Sequence, residues 1–452
     1  PRFAHRGLMI DTSRHFWTVD ELKSLINSLS LFKLNVLHLH LSDSQGWRLY
    51  LDKYPEVTER GTYYYDFPER SGKYYTPDQL KDLVSFAAAR GVEIIPEIDM
   101  PGHCLALLAA KPELSCRGGE FETYPDEREQ KDRKRLGENM VCVGNEAVFT
   151  FIGDMLDEII DIFPSQYIHM GGDEVSTLIW DTCPKCRAVY TREGMTDIKQ
   201  LQDYFTTRVS QMVRDRGRRM IGWEEINDRA AADPSDMLTI WQGAPRQVLD
   251  KALERDLDVI ICPKDPCYFD YSYTRNPSHK VYAWDPTCGR TDSTAMNHIR
   301  GAQACLWTEF IPTYADVQSM IFPRLCALSE VLWTPDSLRD WDSYAARMET
   351  LKPALVSSGI NLFDGELPQL DWFRTAEYDL ADVRPAMPAT IETNMAQGKG
   401  YEKEYAFDGD PVTFYSSNYS HTPGDYFTVT LDSIHELTTI NIFGDDLRDY
   451  FN

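Results

Sequence analysis

The sequence predicts an α/β fold, a (β/α)8 barrel followed by a smaller β-rich segment. Short apolar runs that are rich in β-branched residues alternate with amphipathic helical patterns, as in buried parallel strands joined by helices. Eight such strand-then-helix units in series are what a closed barrel of this type requires. No glycine-rich phosphate loop follows the first apolar run, which argues against a doubly wound dinucleotide-binding sheet.

The predicted strands and helices follow each other in a regular order. The strands are His5–Asp11, Asn35–Leu41, Val92–Asp99, Tyr167–Gly172, Arg219–Glu225, Leu238–Gly243, Asp258–Pro263 and Gly301–Glu309. A Thr18-x-x-Glu21 capping box predicts the start of the first helix, Val19–Leu31. Thr76-Pro77-x-Gln79 opens a second helix, which Gly91 ends. Further helices are predicted at 321–333 and 341–358.

Two long connections, Lys111–Val143 and Lys264–Arg300, interrupt the alternation. Both follow strand ends, so we expect them on the face of the barrel that carries active sites. Long loops in such places usually shape a pocket.

The chain divides into two predicted domains. A proline-containing connector at 382–388 separates a barrel domain, residues 1–375, from a β-rich segment, residues 383–452. Within that segment Tyr426–Leu431 and Leu437–Ile442 are predicted strands.

The composition excludes several classes of function. The 452 residues carry 46 Lys+Arg against 71 Asp+Glu, a net charge of −25, and so negative a surface repels phosphate backbones; we expect no nucleic-acid partner. The longest apolar stretches run to about ten residues, too short for a membrane span. Aromatic residues make up 12% of the chain, and their flat rings suit sugar faces as well as protein cores.

The ten cysteines are scattered and do not form a disulfide framework. Cys183-Pro-Lys-Cys186 has the spacing of metal ligands, but a zinc site there needs two more ligands, which could come from Cys116 and Cys142. The alternative is that these are free or disulfide-bonded loop cysteines. We expect no cofactor and no metal in the functional site.

The strongest candidate site is His169-Met-Gly-Gly-Asp173-Glu174, at the predicted end of the fourth strand. Two glycines allow the backbone to approach a ligand closely, and the side chains of the two adjacent acids can point in different directions from the backbone. One carboxyl can then act as an acid while the other stays ionised. An Asp-Glu pair is more often part of a solvated loop, but a strand's C-terminal end in a barrel favours a catalytic role.

Other strand ends also carry polar and aromatic side chains. Arg14 follows the first strand, Asp43 the second and His103 the third. The tryptophans Trp223, Trp241 and Trp307 lie in the end regions of strands five, six and eight. Each residue alone is more often part of the core than of a site, but together they indicate a pocket for an apolar sugar face or a methyl group.

These motifs resemble the glycoside hydrolase family 20 β-N-acetylhexosaminidases over roughly residues 4–340. The resemblance rests on four separated stretches in the right order, which are His5–Arg14, Asn35–His40, Pro96–His103 and His169–Glu174. It implies a retaining exo-hydrolase that removes terminal β-linked GlcNAc or GalNAc and uses the substrate's own acetamido oxygen as nucleophile. Asp43-Ser44-Gln-Gly-Trp departs from the family, which often has paired aspartates there.

The resemblance also implies a role for each site residue. Glu174 resembles the general acid/base, and Asp173 the carboxylate that orients the acetamido N–H. Tyr268 resembles the hydroxyl that holds the acetamido oxygen. The residues expected to bind or enclose the rest of the sugar, or to support these groups, are Arg14, Asp43, His103, Trp223, Trp241, Asp270, Trp284, Trp307 and Glu309.

Further expectations follow from the same resemblance. The partner would be an oligosaccharide or glycoconjugate that ends in β-N-acetylhexosamine, and the location would be secreted, periplasmic or cell-surface, with an upstream segment removed before Pro1. Cys116 and Cys142 resemble a disulfide pair of some relatives, so we expect them to be bridged to each other if the protein matures in an oxidising compartment. Ala406–Ser417 resembles the opening of a discoidin-like carbohydrate-binding sandwich that is cut short.

The alternatives to this function are a lacto-N-biosidase-type member, which would release a disaccharide, and a barrel that only binds glycans.

Overall fold

The computed structural model describes residues 1–62, 71–121, 123, 139–242, 245–363, 389–393 and 427–431. The chain divides into two compact units, Pro1–Pro368 and Gln369–Asn452. The predicted connector at 382–388 lies outside the described residues, so the predicted domain boundaries stay predictions.

The first unit is built on a closed barrel of eight parallel strands. The strands are β1 His5–Asp11, β2 Val36–His40, β3 Glu93–Glu97, β4 Tyr167–His169, β5 Arg219–Trp223, β6 Met237–Ile240, β7 Asp258–Ile261 and β8 Ile299–Leu306. Neighbours in sequence are neighbours in the barrel, and β8 closes it by pairing with β1, Met9 opposite Cys305. The predicted (β/α)8 barrel is confirmed, and each strand lies within its predicted run or overlaps it.

Helices follow the strands around the outside of the barrel. They are α1 Val19–Leu31, α2 Pro55–Gly61, α3 Pro77–Ala88, α4 Leu105–Ala110, α5 Glu146–Ile162, α6 Leu178–Thr182, α7 Pro184–Arg192, α8 Gln200–Asp215, α9 Pro245–Leu253, α10 Ser278–Ala283, α11 Ser293–His298, α12 Tyr314–Ile321, α13 Arg324–Trp333 and α14 Trp341–Ser357. Short helical turns occupy Pro112–Leu114, Glu224–Asn227, Lys264–Cys267 and Asp336–Leu338.

The predicted helix signals act as expected, with small differences at the ends. Both capping boxes form, at Thr18 for α1 and at Thr76 for α3. Helix α3 ends three residues before Gly91, which instead adopts a left-handed conformation with φ of 70°. The helix predicted over 321–333 is interrupted at Phe322 and Pro323, because a proline cannot continue a preceding helix.

The long connection Lys264–Arg300 is more ordered than a plain loop. It contains α10, α11 and the helical turn Lys264–Cys267. The short sequences of these elements carry too little periodicity to stand out from a loop.

Side chains alternate along the strands between the helices and the barrel interior. On β2, Leu37 and Leu39 join the main hydrophobic core, while Val36 joins a separate cluster. We call that cluster the apolar layer, and its members from five strands are Val36, Ile95, Ile221, Met237 and Ile260. Because both faces of every strand are covered, the strand sequences are almost continuously apolar.

In the second unit the structure describes one antiparallel pair of strands, β9 Ala389–Thr393 and β10 Phe427–Leu431. Strand β10 confirms the strand predicted at Tyr426–Leu431. The strand predicted at Leu437–Ile442 and the stretch Ala406–Ser417 lie outside the described residues. Among the described helices of the whole chain, none has the length and apolar character needed to span a membrane.

Candidate active site

Two glycines after β4 shape the centre of the site. Gly171 has a φ of 66°, and a Cβ placed on it would lie 1.7 Å from Oδ1 of Asp99, so no other residue fits there. The backbone N–H of Gly172, whose φ is 100°, donates to the same Asp99 oxygen at 3.1 Å. This tight turn fixes the backbone that carries the two predicted carboxylates.

The two acids then face different surroundings, as predicted. Asp173 is buried, with 8% of its surface exposed, whereas the side chain of Glu174 is 59% exposed. Glu174 itself has a positive φ of 48°, which turns its side chain away from that of its neighbour. One carboxyl is therefore held inside the protein and the other stands at its surface.

His103 lies between these acids and Asp43. Its Nδ1 is 3.1 Å from Oδ1 of Asp43, and its Nε2 is 3.7 Å from a carboxylate oxygen of both Asp173 and Glu174. Burial disfavours the imidazolium, but the carboxylates of Asp43, Asp173 and Asp99 outweigh it and raise the pKa of His103 well above its usual value. The charged form of His103, which is half-buried, is therefore favoured next to the two acids.

The pKa of Asp173 is raised, chiefly by burial, and the positive charge of His103 opposes the rise. Oδ1 of Asp173 is buried and has no hydrogen-bond partner among the described residues. A buried carboxylate oxygen without a donor is costly, so it is a natural acceptor for a ligand N–H.

Arg14 binds carboxylates from several strand ends at once. Its guanidinium is 3.0 Å from Asp11, 2.9 Å from Asp43 and 3.5 Å from Glu309. Gln45, which sequence reasoning missed, accepts a hydrogen bond from Nε of Arg14 at 2.8 Å. Burial would raise the pKa of Asp43, but the charge of Arg14 and then of His103 holds it well below its usual value.

A set of buried polar side chains inside the barrel supports this site from below. We call it the polar layer, and its members are His38, His40, Glu97, His169 and Trp223. Glu97 is at its centre, with Nδ1 of His40 at 2.6 Å and the indole N–H of Trp223 at 2.9 Å. The other ring nitrogen of His40 reaches Asp43 at 3.0 Å, which connects the layer to the site.

Burial alone would raise the pKa of Glu97, but the imidazoles of His40, His169 and His38 lower it well below its usual value. Glu97 was not predicted as a site residue. Its position in Pro96-Glu-Ile-Asp99 at a strand end was the available signal, but the histidines that surround it come from two other strands.

Aromatic rings form one side of the site, which we call the aromatic wall; its members are Trp223, Trp241, Tyr268 and Trp307. The ring of Tyr268 stacks on Trp241, with centroids 6.2 Å apart, and lies 6.2 Å from the ring of Trp307. Trp307 is in turn 5.9 Å from Trp223, which is fully buried and forms the floor of the group. The structure thus brings together all three predicted tryptophans and the predicted tyrosine.

Glu225 is a second acid that sequence reasoning missed. It accepts a hydrogen bond from the indole N–H of Trp241 at 3.0 Å, and burial followed by the charge of Asp173 raises its pKa to about 8. The signal was the second acid of Gly-Trp-Glu-Glu, where only the tryptophan was selected.

The two remaining predicted residues lie at the edge of this aromatic group. Asp270 is half-buried and lies two residues beyond Tyr268. Burial raises the pKa of the Tyr268 hydroxyl, and the charge of Asp270 adds to the rise. Trp284 packs against the same aromatic group and also lines a surface cleft with Arg246 and Asp285.

Four groups of described residues have the composition to hold a metal ion. Three are drawn from the histidines and carboxylates of the site and the polar layer. The fourth consists of Cys116, Cys142, Cys183 and Cys186. All ten cysteines lie in the described part of the chain and all are free, so the predicted Cys116–Cys142 disulfide is wrong. The sulfurs of Cys116 and Cys142 are shared with two other cysteines and are not paired with each other alone.

A buried acid beside an exposed one, next to an aromatic wall at the C-terminal end of a (β/α)8 barrel, fits the site of a glycoside hydrolase. Residues 3–336 match the family described as "Glycosyl hydrolase family 20, catalytic domain". The chain belongs to glycosyl hydrolase family 20, as the resemblance of the motifs predicted.

Two curated relatives illustrate the similarity. The chain is 34% identical over 376 residues to a protein named Beta-hexosaminidase from Porphyromonas gingivalis, which covers 80% of this chain and 47% of that protein. It is 34% identical over 365 residues to a Beta-hexosaminidase from Akkermansia muciniphila, over 77% of this chain and 72% of the relative. The chain therefore spans about half the length of the first relative.

Solved structures show the same fold. An exo-β-N-acetylglucosaminidase from Vibrio harveyi, solved in complex with N-acetylglucosamine, superposes with a TM-score of 0.72 at 32% identity. That match covers 80% of this chain and 59% of the other. A mutant β-hexosaminidase from Streptomyces plicatus in complex with the product GlcNAc gives a TM-score of 0.69 at 30% identity, over 82% and 72% of the two chains.

Proposed function

We propose that the chain is a retaining exo-β-N-acetylhexosaminidase that removes terminal β-linked GlcNAc or GalNAc by substrate-assisted catalysis. The observation that carries the proposal is Oδ1 of Asp173, a buried acceptor with no donor among the described residues. A 2-acetamido group offers the matching N–H donor, and its methyl group suits the indoles of the aromatic wall.

In this proposal the two adjacent acids have separate tasks. Glu174, at the surface, protonates the oxygen of the leaving group and later takes a proton from water. Asp173 accepts the acetamido N–H and offsets the positive charge that develops on the oxazoline-like intermediate. The hydroxyl of Tyr268 holds the acetamido oxygen in line with the anomeric carbon, so that the substrate supplies the nucleophile.

The remaining side chains position the sugar. Arg14 is already held by Asp11, Asp43 and Glu309, so its planar fork of donors is fixed before the sugar hydroxyls arrive. Asp270 and Glu309 supply acceptors for the outer hydroxyls, and Trp284 stacks under the leaving-group sugar. His103 acts through its neighbours and keeps the pair of acids next to a positive charge.

The relatives support the same substrate class. The Vibrio harveyi structure holds N-acetylglucosamine and the Streptomyces plicatus mutant holds GlcNAc as product. For this chain the secreted, periplasmic or cell-surface location and the resemblance of segment 383–452 to a discoidin-like carbohydrate-binding sandwich stay predictions.

A panel of chromogenic glycosides tests the proposal. We expect turnover of β-GlcNAc and β-GalNAc aryl glycosides, and almost none of the β-glucoside, which lacks the acetamido group. Turnover confined to a β-lacto-N-bioside would instead support the disaccharide-releasing alternative, and no turnover of any substrate would support a barrel that only binds glycans. The Glu174→Gln variant, prepared in parallel, shows whether any activity belongs to this protein.

A further inference from the structure

Four cysteines meet at one place beside the proposed active site, and the hydrolytic reaction uses none of them. Cys116 and Cys142 come from the long connection after β3, and Cys183 and Cys186 from the connection after β4. We propose that these four cysteines form a structural metal site that binds zinc through four thiolates.

The distances between the sulfurs fit a tetrahedron around one ion. The Sγ atoms of Cys116 and Cys186 are 3.7 Å apart, those of Cys142 and Cys183 3.7 Å, and those of Cys142 and Cys186 3.6 Å. With Zn–S bonds of about 2.3 Å, the edge of a ZnS4 tetrahedron is about 3.8 Å. All four sulfurs lie within 4.8 Å of one another.

The same distances do not favour disulfides. A disulfide requires an S–S distance of about 2.05 Å. Cys142 is equally close to Cys183 and to Cys186, and Cys186 is equally close to Cys116 and to Cys142. The sulfurs are therefore shared as in a cluster and are not arranged as two pairs.

The backbone is folded to hold this arrangement. Cys183 precedes helix α7, whose first residue is Pro184, so the two cysteines of Cys183-Pro-Lys-Cys186 lie on one turn. A Cβ on Gly144 would lie 2.3 Å from the backbone carbonyl of Lys185, so only glycine allows the two segments to approach this closely. The β-bridge between Ser115 and Val141 brings the other two cysteines side by side.

The character of the site is structural. Three of its cysteines are buried and Cys116 is half-buried, and four protein ligands leave no open position for water. The zinc ion would fasten the connection that follows β3 to the one that carries Glu174. The indole N–H of Trp180 already donates to the carbonyl of Val141 across this junction at 2.9 Å. Val141 in turn donates to Pro101, two residues from His103, at 3.0 Å.

The test measures metal content and does not depend on catalysis. Full-length protein is reduced, incubated with zinc, desalted and analysed for metal, alongside Cys116→Ser and the control Cys288→Ser. Cys288 is also half-buried but lies outside the cluster. We expect about one zinc per chain in the wild type and in Cys288→Ser. We expect an affinity for zinc lower by roughly 100-fold or more in Cys116→Ser, since loss of even an outer partner costs about 10–100-fold.

Two further measurements on the wild type keep the test valid if a variant fails to fold. Replacing zinc by Co²⁺ should give the thiolate-to-cobalt absorption of a tetrahedral sulfur site, and removing the metal with a chelator should lower Tm. Reduced wild-type protein that binds no zinc or Co²⁺ would overturn the proposal. So would equal zinc affinity of Cys116→Ser and Cys288→Ser in competition with a chelator, or disulfides among the four cysteines in non-reducing peptide maps of protein purified with zinc. The hydrolase proposal is unaffected by any of these outcomes.

Discussion

Two layers of the barrel interior, one directly above the other, differ completely in chemistry. Three strands contribute to both layers: Val36 is followed by His38 and His40 on β2, Ile95 by Glu97 on β3, and Ile221 by Trp223 on β5. Both layers are buried to a similar extent. The apolar layer needs nothing but packing, whereas every charge in the polar layer requires a partner.

The comparison shows that the two layers have separate roles. One contributes stability through packing, and the other determines the charges near the site. Glu97 is fully buried, and the free-energy cost of burying its carboxylate is offset by imidazoles and an indole N–H. That set continues through His40 to Asp43 and then to His103 beside the paired acids. The polar layer therefore holds the charges of the site in place, and the apolar layer holds the barrel together.

The largest expected effect lies above the polar layer, at Glu174. The Glu174→Gln variant keeps the shape of the side chain but loses the proton, so we expect kcat to fall by about 10²–10⁴-fold for substrates with poor leaving groups. Activated aryl glycosides should lose much less, because their leaving groups need little protonation. Steady-state rates on both substrate types check this, and equal losses would count against Glu174 as the acid.

Within the polar layer, Glu97→Gln should destabilise the fold by about 3–5 kcal/mol, because it leaves buried imidazoles without their anion. The control is Glu93→Gln on the same strand, where the exposed side chain should change stability by less than about 0.5 kcal/mol. Denaturant unfolding measures both. A Glu97→Gln protein as stable as its control would show that the layer carries no such charge balance.

The pH dependence of Glu97→Gln has a definite sign. Because the pKa of Glu97 is lowered in the folded protein, its ionised form contributes stability that is complete above the ordinary Glu pKa. That contribution is lost as the pH falls toward the lowered pKa. The difference in stability between wild type and Glu97→Gln should therefore narrow on acidification.

A smaller effect is expected from the link between the polar layer and the acids. His103 opposes the rise in the pKa of Asp173, so in His103→Gln that pKa should rise further. In the proposed mechanism Asp173 acts as an ionised carboxylate, so the acid limb of the pH profile of kcat/KM should move to higher pH. The control is His298→Gln, at the opposite end of the barrel, which should leave the limb in place. An unmoved limb in His103→Gln would contradict the proposed electrostatic role.

The smallest effect belongs to the apolar layer. Ile95→Val removes one buried methylene two residues before Glu97, and we expect it to cost about 0.5–1.5 kcal/mol of stability. Because the Ile95 side chain packs within the apolar layer, kcat and kcat/KM should stay at the wild-type values. A marked loss of activity at full folding would mean that the two layers are coupled more closely than their chemistry suggests.

Local patterns in the sequence predict much of this molecule. Eight apolar runs give the barrel, and the position of Asp173 and Glu174 after the fourth run gives the centre of the site. These features depend on periodicity and on the rule that barrel sites lie at strand ends, both of which are local.

The features that sequence reasoning missed depend on contacts between distant parts of the chain, or belong to elements too short to carry a pattern. Glu97 becomes important only because β2 and β4 bring histidines to it, and the distances among the four cysteines depend on how two loops dock at Gly144. The helices at Ser278–Ala283 and Ser293–His298 are too short to show a periodic pattern.

The central claim is that the substrate supplies the nucleophile, and the most direct test determines which group attacks the anomeric carbon. Wild-type protein is assayed on aryl β-glycosides whose 2-acyl group is N-acetyl, N-monofluoroacetyl or N-trifluoroacetyl. If the acetamido oxygen attacks the anomeric carbon while Asp173 holds its N–H, kcat/KM should fall progressively along the series as the carbonyl becomes less nucleophilic. Rates that stay flat across the series would mean that a carboxylate of the protein is the nucleophile, and would contradict the role given to Asp173.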